Sequence, residues 1–107
     1  MSKGLDAFAN RYQQIGRMRL EVPELDLEMW FSPFTMLDQQ ELDQAGHSID
    51  SVEGMVWTII RKAEDANGER LFDVQDGPRL KRVAEVSLLK AIVIKLVTSD
   101  GTTPEEK

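Results

Sequence analysis

Between Val83 and Val97 only Glu85, Ser87, Lys90 and Lys95 are not apolar. At about 100° per residue these four side chains spread around a helix axis and leave no clean polar face. A helix that is apolar nearly all round is buried on most of its sides. In a chain of 107 residues there is little protein available to surround it. The segment is therefore the central helix of the fold, or it meets a second molecule along one side, and the two are not exclusive.

The rest of the chain supplies shorter elements. Leu5, Phe8, Ala9, Tyr12 and Ile15 recur every three or four residues and predict a short peripheral helix, with Gly16 placed to end it in a left-handed cap. The period then becomes two. Met18, Leu20 and Val22 alternate with Arg19 and Glu21, and Leu25, Leu27, Met29 and Phe31 alternate with Asp26, Glu28, Trp30 and Ser32. Pro23 and Glu24 suit a turn, so the two runs predict an antiparallel hairpin that must lie on helices or pair with another edge. Thr35 three residues before Asp38 opens a helix expected to run to about Ala45 and stop at Gly46. Asp50 before Glu53 opens another, with Ile49, Val52, Val56, Ile59 and Ile60 as its apolar stripe. Asn67-Gly68 marks a turn, Leu71 and Phe72 pin it to the core, and Asp76-Gly77-Pro78 starts a further helix. The expected fold is α+β: an N-terminal helix and a short antiparallel β-hairpin packed on a bundle of three to four helices. It forms one domain over residues 1–97, followed by a flexible polar tail over 98–107.

Charge and composition exclude several functions. The net charge is −6, and nine acidic residues but no Lys or Arg lie between Glu21 and Ile60. Such a surface disfavours nucleic acid, whose binders release counterions through a basic face. It maintains solubility, or it steers a basic partner or another copy of the chain. No stretch approaches the roughly 18 apolar residues of a membrane span, and the first residues do not resemble a secretory signal. With no cysteine, disulfides, thiolate metal sites and thiol nucleophiles are unavailable, which fits a reducing compartment such as the cytosol.

The residues needed for catalysis are equally sparse. The single histidine, His47, follows Gly46 and reads as a solvated turn residue. Asp38 and Glu41 are neighbours on a helix while Asp43 points elsewhere, so they make a poor cation site. The Asp65–Glu69 and Asp73–Gly77 stretches lack the glycine and glutamate positions of a calcium loop. No catalytic residue, metal ligand or cofactor is expected, and the chain is not expected to be an enzyme.

Two strings resemble a known family, the tail assembly chaperones of long-tailed bacteriophages. Val22 through Leu42 (VPELDLEMWFSPFTMLDQQEL) is similar to their Pro-Glu, aromatic strand, hydroxyl residue and acidic helix. Ile60 through Leu80 is similar to their helix end, acidic glycine turn, Leu-Phe pair and acidic helix start. The chain departs from the family pattern after Trp30-Phe31, where Ser32-Pro33 stands in place of an arginine. The resemblance implies a protein of the infected host bacterial cytoplasm that coats and solubilises the tape measure protein and helps recruit tail tube subunits. It also implies a short form and a frameshift-extended form.

Combined with the apolar last helix, this reading predicts protein binding through a groove lined by Val56, Ile60, Leu89, Ile92, Val93 and Leu96, with Trp57 as an anchor at its edge. Trp57 lies off the Ile and Val stripe of its helix. Self-association to a homo-oligomer is expected as well, since the hairpin offers an edge and the last helix has too many apolar sides. The alternative from another class is a small acidic inhibitor or nucleic-acid mimic whose Glu21–Glu53 surface blocks a basic site on a host protein.

Overall fold

The computed structural model of the protein describes residues 2–98. Helix α1 (Lys3–Ile15) leads into strands β1 (Met18–Val22) and β2 (Leu27–Phe31), followed by helices α2 (Met36–Gln44), α3 (Val52–Lys62), α4 (Gly77–Val83) and α5 (Val86–Val97). The fold is α+β, as the change of hydrophobic period from helical to alternating and back requires.

The hairpin follows the alternation. Its strands pair antiparallel, with Met18 opposite Phe31 and Leu20 opposite Met29, and these four side chains are buried together with Val22. Arg19, on the other face, reaches Glu21 and Glu28 at 3.3 and 2.9 Å. Pro23 opens a 3-10 turn over Pro23–Leu25, and Asp26 closes it at φ 52°, a left-handed conformation that a short polar side chain tolerates. Leu25 therefore belongs to the turn and not to the strand. The free side of β2 is paired: Trp30 and Glu64 exchange backbone hydrogen bonds of 2.7 and 2.8 Å, and Glu64 in turn bridges to Arg70. The intervening turn is held by the Asp65 carboxylate, which accepts from the Asn67 and Glu69 amides.

The α2 cap forms as expected. The Thr35 hydroxyl accepts from the Asp38 amide while the Asp38 carboxylate accepts from the Thr35 amide. For α3 the expected Asp50 cap is displaced by one residue: Ser51 takes the extended conformation and accepts from the Gly54 amide at 2.9 Å. The Asp50 carboxylate is already engaged by the Ser48 hydroxyl. The buried face of α3 is also rotated from the expected stripe. Met55, Val56, Ile59 and Ile60 enter the core, Val52 is exposed, and buried Thr58 donates to the Gly54 carbonyl.

The apolar run from Val83 to Val97 is not one helix. Ala84 and Glu85 take extended backbone conformations, α4 closes through the Ala84 amide on the Leu80 carbonyl, and Glu85 starts α5. The break allows Leu80 of α4 and Leu88 of α5 to pack on the same core, and it leaves Val83 and Val86 outside. Helices α3 and α5 form the central layer beneath the hairpin. Beyond Thr98, which caps α5, the expected polar tail lies outside the described residues.

Candidate protein-binding surface

The groove expected from sequence turns out to be interior. Val56, Ile60, Leu89, Ile92, Val93 and Leu96 are each 7% exposed or less, because they form part of the seam where α3 packs on α5 beneath the hairpin. These six residues belong to the core, and this corrects their expected place on the surface. Trp57 alone keeps a half-buried ring, with the Arg61 guanidinium stacked 4.6 Å from its centroid. It borders a small cleft of about 190 Å³ that also includes His47, Glu53 and Lys81. The Glu53 carboxyl is held below its ordinary range, chiefly by the hydrogen bond from Lys81 at 2.6 Å.

A larger apolar groove lies between the hairpin turn and the α4–α5 elbow, with a volume of about 680 Å³. Ile59, Leu89 and Ile92 form its floor with the small residual surface they keep, and fully buried Met29 lies directly behind them. Leu25 and Leu27 rise on one side, and Phe72, Leu80, Val83 and Leu88 on the other. Among the described residues, Glu24 and Glu85 are the charged ones that line it. The physical origin of the groove is the two features that interrupt the regular elements. The 3-10 turn lifts Leu25 out of the sheet, and the Ala84–Glu85 break turns α4 away from the axis of α5.

The second apolar surface is α1. Its Ser2 cap accepts from the Leu5 amide, but none of its residues is buried, and Phe8 is 77% exposed. Leu5, Phe8 and Tyr12 make a continuous exposed stripe. Ile15, at its end, packs against the core.

The acidic run does not form one bare face. Of its nine carboxylates, Glu21 and Glu28 pair with Arg19, Asp38 with Lys62 at 2.9 Å, and Glu53 with Lys81. Partial burial works to raise the Asp38 carboxyl, but the Thr35 amide and the Lys62 ammonium together hold it below its ordinary value. The Glu28 carboxyl is lowered as well, first by Arg19 and then by the Trp30 ring N–H. Asp38, Glu41 and Asp43 do not converge, and among the described residues no group of three or more His, Asp or Glu side chains is arranged to hold a metal ion.

Sequence reasoning missed Leu25, Leu27, Leu80, Val83 and Leu88 as surface residues. The available signal was Pro23 two residues before Leu25, since a proline-led turn takes the next apolar residue out of the ladder. None of the described helices is long and apolar enough to cross a membrane. No family model matches the chain, and neither a curated protein nor a solved structure shows significant similarity to it.

Proposed function

We propose that the protein is a holding chaperone of phage tail assembly, acting by binding and not by catalysis. It receives amphipathic stretches of the tape measure protein in the groove between the hairpin turn and the α4–α5 elbow. The observation that carries this reading is the groove itself: about 680 Å³, walled by leucine, valine and phenylalanine, and rimmed by acid. A shallow apolar trough of this kind suits the i, i+3, i+4, i+7 face of a helix. The resemblance of Val22–Leu42 and Ile60–Leu80 to tail assembly chaperones supplies the identity of the client. It also supplies the further role of recruiting tail tube subunits and the setting in the host bacterial cytoplasm. The alternative of an acidic mimic is weakened by the internal pairing of four of the nine carboxylates in its supposed face.

Co-expression with the tape measure protein of the same phage tests the reading. The client is expected in the soluble fraction with the parent protein and in the pellet with a Leu88→Asp variant that retains its helical circular dichroism. A tape measure protein that stays equally insoluble with the parent protein overturns the proposal. One that is solubilised equally by Leu88→Asp removes the groove from it.

A further inference from the structure

The groove and the α1 stripe are complementary surfaces of one chain, yet the chain cannot join them within itself. The junction between α1 and β1 is held on both sides of Gly16. Ile15 packs on the core. Arg17 donates to the Asp65 and Ala66 carbonyls at 2.6 and 3.1 Å, pairs with Glu64 at 3.2 Å, and stacks on the Trp30 ring at 5.2 Å. Met18, the next residue, enters the core opposite Phe31. A single free residue between two anchored ones fixes the direction in which α1 leaves. It leaves at the open end of the hairpin, where Met18 and Phe31 pair, whereas Leu25 and Leu27 place the groove at the turn end.

We infer that α1 of a second copy occupies this groove, so that two client-free molecules exchange their first helices. The chemistry of the two surfaces matches. Leu5, Phe8 and Tyr12 present the spacing that a groove-binding helix uses. Arg11 flanks that stripe on the helix, and the groove is rimmed by Glu24 and Glu85. A reciprocal exchange about a two-fold axis covers both apolar surfaces of both molecules and leaves neither open for further growth. The arrangement rests on the reading of the groove as a helix receptor but not on the identity of the client. It gives that site a regulation: an incoming client helix displaces the partner's α1.

The chain contains no cysteine, so introduced thiols are unique reporters. A tagged Phe8→Cys copy mixed with an untagged Val83→Cys copy is treated with a short bismaleimide, with no client present. Both positions are exposed, so neither substitution disturbs the core. The expected result is an efficient crosslink between tagged and untagged chains, and little when the second thiol is placed at exposed Gln40 instead. Light scattering of the parent protein at high micromolar concentration is expected to give twice the chain mass of 12.2 kDa, falling to one chain mass for Phe8→Asp and for Val83→Asp. A monomeric parent protein, or crosslinking no greater at Val83 than at Gln40, overturns the exchange. Because no client enters the measurement, such a failure leaves the solubilisation result of the client test to stand or fall separately.

Discussion

Gly54 sits in the first turn of α3, where alanine is ordinarily the better helix former by about 1 kcal/mol. Here a Cβ would lie 1.7 Å from the Ser48 carbonyl oxygen, which belongs to the backbone of the α2–α3 connection and cannot rotate away. Gly54→Ala is therefore expected to destabilise the protein by about 1–3 kcal/mol, the range for overpacking. A lowered urea midpoint would show it, and an unchanged or raised one would mean that the connection yields freely. Asp38 carries a different sensitivity. Its folded pKa lies below the ordinary 3.8, so its contribution to stability is present above the unfolded value and is lost as pH falls through the folded one. The melting temperature of Lys62→Met is expected to fall below that of the parent at neutral pH. The gap should narrow as the pH drops below 3.8, because protonated Asp38 no longer gains from the ammonium. A gap that is constant with pH would assign the loss to packing of the lysine stem alone.

At the scale of elements, the hairpin separates buried from exposed leucines and aromatics. Phe31 is fully buried, and Phe31→Ala is expected to cost about 3–5 kcal/mol. Leu25 is exposed in the turn, and Leu25→Ala is expected to change stability by about 0.5 kcal/mol or less while weakening client binding. Chemical denaturation of the two variants checks this division. The alternation of Met18 to Phe31 made the strands legible in the sequence, as did the Thr35–Asp38 box for α2 and the Asp76-Gly77-Pro78 run for α4. The elbow at Ala84–Glu85 was not legible. Both residues are acceptable in a helix, and the chain bends there to satisfy packing that no local pattern records. The same limit misplaced the expected groove. Apolar periodicity identifies Val56, Leu89 and Leu96 as residues that leave water, but it does not distinguish a neighbour within the chain from one in another molecule. The stripe of α1 was equally visible, yet only the anchored Ile15 and Arg17 reveal that the chain's own body leaves it uncovered.

At the scale of the whole molecule, the described residues form a flat body, 47 × 35 × 22 Å, whose radius of gyration of 14.4 Å exceeds the about 13 Å of a compact chain of similar length. The excess is consistent with a helix that stands apart from the body. Because the groove is apolar and four of the nine carboxylates of the acidic run are paired internally, client affinity is expected to change little between low and physiological salt. A steep loss measured by salt titration would favour the charged surface over the groove. One consequence follows from the size of α4. At seven residues it is shorter than two turns, far below the length at which a helix persists by itself in water, so one wall of the groove exists only through the side chains packed behind it. Its amides should exchange with deuterium ahead of those of α3 and α5. A wall so loosely fastened can yield to helices of differing girth while the layer behind it keeps its shape.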